Sequence, residues 1–352
     1  MARSGLRRGR PLRVVFVSER RADYSRFKPI LALMRGDPFF DYRLIVTGVS
    51  LLKRHGQDIG IIKSDGFKIE TVLPMYRVRA PDSGAEMTRA YGRVMIGLAN
   101  VFERLRPDLI FTGFDIGANF SAAVVGAHMN IPVAHLQGGE VSGSIDESLR
   151  HATSKFAHLH FPSTLNAAHR LMAMGEDPRF IFPVGCTSID LLAHAPRLSR
   201  RAVLRRLGLH PGQPYLLVVQ HPVTTEFDRI SWQIGQTLSA LKSVSLPGVI
   251  IYPNNDAGFR AILSAIPGSR LRHFKSFAPE FFANVLRHAA VLVGNSSAGI
   301  HEAATFRVPV VNIGTRQQGR ARPHNVIDVG YDRHEIAAVS YTHLTLPPTP
   351  YV

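Results

Sequence analysis

At 352 residues, 45% of them hydrophobic and with a mean hydropathy of +0.03, the chain has the composition of a soluble globular protein, long enough for two domains at about 150 residues each. Lysine and arginine outnumber aspartate and glutamate by 42 to 26, a net charge of +16; yet Arg3, Arg7, Arg8 and Arg10 crowd an N-terminal arm (1–11) expected to be disordered and the rest form no basic stripe, which disfavours nucleic acid and favours small anionic ligands. The single cysteine, Cys186, excludes an intramolecular disulfide and a cysteine metal cluster and fits a cytoplasmic setting, the 16 histidines lack metal-binding spacing, and no apolar run suits a signal peptide or the ~18 residues of a membrane span.

Short β-rich runs alternate with helical stretches, the pattern of parallel βαβ units with helices on both faces of a sheet. In the first half, strands are expected at Leu12 to Ser18, Tyr42 to Gly48, Phe67 to Leu73, Leu109 to Gly113, Pro132 to Gln137, Leu159 to Pro162 and Ile181 to Gly185. In the second they are expected at Tyr215 to Gln220, Val249 to Pro253, Leu271 to Phe274, Ala290 to Gly294 and Val308 to Ile313. Two doubly wound α/β domains follow, 12–190 and 200–339, linked through Cys186 to Arg200, with a cleft between the carboxyl ends of their strands. The proline-dense stretch Tyr341 to Val352 suits neither helix nor internal strand, so residues 340–352 read as an atypical tail, non-native in character.

The loops after these strands carry the chemistry. After the first, Ser18 to Ser25 leads Arg21 and Asp23 into a helix at a ligand-facing position, although Asp23 or Ser25 simply capping that helix fits as well. After the fourth, Asp115 among small residues is a candidate general base, a hydroxyl acceptor or a plain helix cap. After the fifth, His135 to His151 is the densest cluster. Ser144 and Glu147 are spaced as a capping box that starts a helix, with Asp146 in its first turn and Arg150 four residues on. Two glycines there permit close backbone approach, and Glu140 stands in a flexible loop over the cleft.

In the second half, His221 can neutralise a diphosphate, donate a proton to it, or bond to backbone, whereas His301 reads as a residue inside a helix. The run Val291 to Ala304 is the most informative, an apolar strand breaking into Gly294-Asn295-Ser296-Ser297-Ala298-Gly299 and then a helical pattern. Small residues and a helix N-terminus cradle an anion, Ser296 and Ser297 add hydroxyls, and Glu302 suits a ribose diol, which together suggest a nucleoside diphosphate. An N-capped helix after a strand is the plain alternative. Arg316 and Arg320, after the last strand, can fork onto phosphate.

Taken in order, Arg21-Ala22-Asp23-Tyr24, Gly138 to Asp146 running into Arg150-His151, Gln220 to Thr225, Pro253 to Gly258, Gly294 to Ser297 and Gly314 to Gln317 resemble the hydrolysing UDP-N-acetylglucosamine 2-epimerases that supply sialic-acid precursors, over about residues 12–335. The resemblance implies a glycosyltransferase-B-type pair of Rossmann-like domains holding UDP mainly on the second. It implies elimination of UDP to a 2-acetamidoglucal, then hydration to N-acetylmannosamine, with a UDP-sugar as partner, no cofactor, and a homo-oligomer (dimer or tetramer). It adds Arg21, Asp23, Arg150 and Asn254 to the substrate contacts. Two positions depart from the family pattern: Gln137 stands where a catalytic glutamate is common, and Ile116 where an arginine follows the aspartate. Gln137 cannot act as a base, so proton transfer falls to Asp115, Glu140 or Asp146, with Gln137 orienting a hydroxyl or water. A modified bacillosamine-type UDP-sugar as substrate, a non-hydrolysing epimerase, a glycosyltransferase and a non-catalytic nucleotide-sugar binder are the alternatives.

Overall fold

The first half of the chain alternates β1 (Leu12–Ser18), α1 (Arg21–Gly36), β2 (Phe40–Thr47), α2 (Ile59–Ser64), β3 (Ile69–Leu73), α3 (Gly84–Leu105), β4 (Leu109–Gly113), α4 (Gly117–His128), β5 (Val133–Leu136), α5 (Ile145–Phe156), β6 (Leu159–Phe161) and α6 (Leu165–Ala173). After α7 (Thr187–His194), the second half runs α8 (Arg200–Leu207), β7 (Leu216–Val219), α9 (Ile230–Ser243), β8 (Gly248–Ile251), α10 (Phe259–Ala265), β9 (Arg272–Phe274), α11 (Pro279–His288), β10 (Val291–Gly294), β11 (Val310–Ile313), β12 (Val326–Val329) and α12 (Arg333–Thr345). The structure, a computed structural model, describes residues 10–56, 58–77, 79–114 and 117–345. Among these, no helix is long and apolar enough to cross a membrane.

Two six-stranded parallel sheets result, ordered β3-β2-β1-β4-β5-β6 and β12-β11-β10-β7-β8-β9. The period-2 alternation of β1 builds both cores of the first sheet. Val14 and Phe16 meet Tyr24, Phe27 and Leu31 of α1 on one face, while Val15 and Val17 meet Val94 and Leu98 of α3 and Ala118 of α4 on the other. Each such side chain contributes about 1.5–3 kcal/mol by leaving water. Both sheets reverse direction at an inner pair, β1/β4 and β7/β10, and the loops at these switch points face one another across a cleft.

Several expected boundaries shift. Ile181 to Gly185 is not a strand: Ile181 makes one bridge to His160, and although Phe182 and Val184 N–H donate to the His160 and Pro162 carbonyls at 2.8 and 3.1 Å, β6 has only three residues and no longer ladder forms. The unexpected β12 closes the second sheet on its other edge, where Ile327 and Asp328 face solvent and blur the apolar pattern. The linking stretch holds α7, packed on both α1 and α11. Tyr341 to Thr345 continues α12, since the first proline of the tail is Pro347; residues 346–352 lie outside the described residues. Of the basic arm, Arg10 pairs with Asp108 at 2.6 Å, and residues 1–9 also lie outside them.

Glu19, just past β1, ties the strand ends together. Its carbonyl accepts from Ser50 N–H at 3.0 Å, one carboxylate oxygen accepts from Ala118 N–H at 2.9 Å in the first turn of α4, and the other from the Tyr76 hydroxyl at 2.8 Å. Burial raises its pKa from 4.5 to about 7, against the pull of neighbouring Arg20. The folded chain therefore holds this proton more tightly than the unfolded one, and Glu19 lowers stability as pH climbs from 4.5 through about 7. Urea midpoints at pH 5 and pH 8 should show the wild type losing stability relative to Glu19→Gln by up to about 3 kcal/mol across that interval; parallel profiles would mean that Glu19 stays ionised throughout.

Candidate active site

The strand ends enclose a cleft of about 1210 Å³, counting its open mouth, lined from the first half by residues following β1, β4 and β5 and from the second by residues following β7, β8, β10 and β11. Two backbone features set its floor. Gly294 closes β10 at φ 137°, where an added Cβ would stand 2.2 Å from the Val219 carbonyl, so only glycine brings this loop alongside the end of β7. Asn295 then locks the two loops: its Oδ1 accepts from His221 N–H at 2.7 Å and its Nδ2 donates to the His221 carbonyl at 2.9 Å. Gln317 donates to the Asn295 carbonyl at 2.8 Å, which adds the loop after β11.

Ser296 and Ser297 line the cleft as expected, but no α-helix follows them. The chain makes two short 3₁₀ turns, Ser297–Gly299 and Ala303–Phe306, joined by single helical bonds from His301 N–H to Ser297 and from Glu302 N–H to Ala298, and ends at left-handed Arg307 before β11. The anion cradle therefore consists of hydroxyls and arginines more than of a helix dipole. The same turns carry His301 into the cleft, against its reading as a helix residue.

His221 accepts the Asn254 N–H on Nδ1 at 3.0 Å, which leaves Nε2–H as its donor. Burial, and after it Arg316, Arg20 and Arg21, lowers its pKa well below the usual histidine range. In the free protein it is a neutral donor, so the expected charge neutralisation of a diphosphate does not come from it. Asn254 and Arg21 also line the cleft, Arg21 donating across it to the Phe277 carbonyl at 2.9 Å.

The loop after β5 delivers the acids. Gln137 lines the cleft with φ 60°, its amide donating to Cys186 Sγ at 2.8 Å. Ser144 starts α5 by accepting from Asp146 N–H at 3.3 Å, while Glu147 turns back to Ser142 N–H at 2.7 Å, so the capping box closes two residues earlier than its spacing implied. Asp146 Oδ2 stands 3.0 Å from Arg316 Nη2. Glu140 is no flexible lid residue: its Oε2 lies 3.3 Å from both His301 Nε2 and Arg320 Nη1. Burial alone would raise its pKa, but His301, Arg320 and Arg150 bring it down to about 2. So weak a base is poorly matched to proton abstraction near neutral pH. Glu302 lines the cleft 3.6 Å from Arg26 Nη2. Glu140 Oε1 and Glu302 Oε2 are buried acceptors with no hydrogen-bond partner in the structure, suited to ligand hydroxyls.

Two expected contacts stand behind the wall. Asp23 is fully buried and caps α1, its carboxylate accepting from Arg20 N–H at 2.7 Å. Arg150 is 1% exposed and donates to the Glu140 carbonyl at 2.9 Å, so both shape the loops instead of lining the cleft. Asp115 lies outside the described residues. Arg20, Arg26 and His301 line the cleft without being expected as ligand contacts, although Ala22, Ser25 and Arg26, spaced i, i+3, i+4 on α1, interrupt its apolar pattern on the cleft-facing side.

Known proteins share this fold. A family model described as UDP-N-acetylglucosamine 2-epimerase matches residues 33–346. The chain is 36% identical over 324 residues to the hydrolysing UDP-N,N'-diacetylbacillosamine 2-epimerase of Legionella pneumophila, covering 90% of this chain and 85% of that protein. It is 32% identical over 327 residues to a UDP-N-acetylglucosamine 2-epimerase of Neisseria meningitidis, covering 92% and 85%. Among solved structures, the UDP-N-acetylglucosamine 2-epimerase of Methanocaldococcus jannaschii, in complex with UDP-N-acetylglucosamine and UDP, superposes with a TM-score of 0.80 at 15% identity, covering 97% of this chain and 96% of that one. A UDP-N-acetylglucosamine 2-epimerase structure from N. meningitidis, bound to UDP-N-acetylglucosamine, gives 0.77 at 16% identity, again covering 97% and 96%. With six loop motifs in order, two facing sheets of the same architecture and a match over nearly the whole chain, the protein belongs to the UDP-N-acetylglucosamine 2-epimerase family.

Proposed function

We propose that the protein is a hydrolysing 2-epimerase that converts UDP-N-acetylglucosamine and water into UDP and N-acetylmannosamine. The observation that carries this reading is a juxtaposition in one cleft: anion-binding groups of the second half, Ser296, Ser297, Arg316 and Arg320, face a carboxylate of the first half, Asp146, only 3.0 Å from Arg316. An elimination needs that pairing, a base beside the carbon next to the leaving group. Resemblance of the Gly138 to Asp146 loop to that of hydrolysing enzymes, and the hydrolysing activity named for the L. pneumophila relative, support hydrolysis over simple epimerisation.

In this reading the second half holds UDP and the first supplies the proton carriers. The proton on C2 of the sugar passes to Asp146 or Asp115, the C1–O bond breaks, and its electron pair leaves with UDP. Arg316, Arg320 and the two serines take up the charge that develops on the diphosphate, and the neutral His221 offers an N–H to it. Water then adds its hydroxyl to C1 and a proton returns to C2 from the opposite face. Gln137, locked by Cys186, orients a hydroxyl or the water, and Glu302 accepts from the ribose. A second reading, with UDP-N,N'-diacetylbacillosamine as the natural substrate, is favoured by the activity named for the 36% identical relative.

Proton NMR in deuterated water, with the two UDP-sugars assayed side by side, tests the proposal. Free UDP and N-acetylmannosamine deuterated at C2 are expected from UDP-N-acetylglucosamine. UDP-N-acetylmannosamine as the lasting product would show a non-hydrolysing enzyme, and turnover confined to the bacillosamine sugar would establish the second reading. Asp146→Asn should lower kcat by about 10²–10⁴ while UDP is still bound; near-full turnover would remove Asp146 from the chemistry.

A further inference from the structure

Each carboxylate that lines the cleft lies within ion-pair distance of an arginine from the other half of the chain: Asp146 with Arg316, Glu140 with Arg320 and Glu302 with Arg26. The first two pairs form a two-by-two array, with both acids on the loop after β5 and both arginines on the loop after β11. Its side chains are 8% to 16% exposed, which limits screening by water. The two loops also touch through backbone. Gly143 N–H donates to the Arg316 carbonyl at 3.0 Å, and a Cβ on residue 143 would stand 1.9 Å from the Thr315 carbonyl. The acids are therefore carried to the arginines by a fixed loop contact, independent of side-chain reach.

Arginine beside arginine in a buried cleft is costly without counter-charge. In the free protein that counter-charge is Glu140 and Asp146; in a complex the diphosphate can supply it. We propose that Glu140 and Asp146 are built-in competitors of the diphosphate, which hold Arg320 and Arg316 in the free protein, give them up when the nucleotide enters, and take them back as UDP leaves. The inference rests on the reading of the cleft as a UDP-sugar site. It assigns Glu140 a positioning role that its poor basicity leaves open: it weakens UDP binding so that product departs. It also couples Asp146 to occupancy, since its carboxylate turns from Arg316 to the sugar only when phosphate holds that arginine.

Isothermal titration of the purified full chain with UDP tests this. Glu140→Gln and Asp146→Asn should each tighten UDP about tenfold, because each removes a competitor and leaves its arginine in place. Arg320→Gln should weaken UDP, and in that background Glu140→Gln should change the Kd less than twofold, which separates direct competition from a general change of charge. In Glu140→Gln, slower UDP departure should also appear as stronger product inhibition. If wild type binds UDP and both amide variants bind it equally or more weakly, with melting temperatures within a few degrees of wild type, the competition is overturned and the epimerase reading stands. If wild type does not bind UDP, the reading of the cleft falls and this inference falls with it.

Discussion

A buried arginine facing a carboxylate across the cleft is the interaction on which this structure depends. Removing one partner of such a pair costs about 3–5 kcal/mol because the other is left buried and unpaired, whereas an exposed pair contributes about 1 kcal/mol at most. Arg316 with Asp146, 8% and 16% exposed in the cleft, lies between these extremes. Other polar contacts run along the seam, beside the small apolar cluster of Leu192, Ala195 and Ala283. Asp58 accepts from Ser276 at 2.6 Å, and Asp82 accepts from Gly258 N–H at 2.8 Å. Halves joined by hydrogen bonds and ion pairs can separate without exposing a large apolar surface, which suits a cleft that has to admit a bulky charged ligand.

The parallel sheets make this seam a consequence of topology. Each strand delivers its following loop to the same edge, and the reversals at β1/β4 and β7/β10 open the crevices in which side chains converge. Asn295 turns convergence into fixed geometry, because a side-chain amide that satisfies both the N–H and the carbonyl of His221 holds two loops in one register. The Asn254 N–H on its Nδ1 gives His221 one defined tautomer, and its ring lines a cleft populated by five arginines, Arg20, Arg21, Arg26, Arg316 and Arg320.

Much of this was legible in the chain. Apolar runs located β1 and β4 to the residue, because buried parallel strands read as nearly continuous apolar stretches. Loops at strand ends identified Glu140, Asp146, His221, Arg316 and Arg320 as cleft residues. Partner choice was not legible: Arg320 meets Glu140 and Arg316 meets Asp146 from 170 or more positions away, and no local spacing encodes such a meeting. Nor was the role of His301, since Ala298 to Ala304 has helical composition while the short span between β10 and β11 closes in 3₁₀ turns. Ile181 to Gly185 and β12 erred in opposite directions for one reason. At a sheet edge, pairing depends on what lies alongside, and a strand there can be half polar, as β12 is, while an apolar run can stop at a single bridge.

Phe114 and Gln137 both border the cleft in the left-handed region, at φ 73° and φ 60°. This conformation costs a residue with a side chain on the order of 1 kcal/mol, and a β-branched one more. Selection at residue 137 therefore acts on backbone shape as well as on side-chain chemistry, and it narrows the neighbourhood of viable sequences to glycine, asparagine and unbranched side chains. Glutamine and glutamate share the same Cβ and lie a single nucleotide change apart. Position 137, where the resemblance implies a glutamate, is thus one where amide and carboxylate can be exchanged without first having to rebuild the loop that presents them.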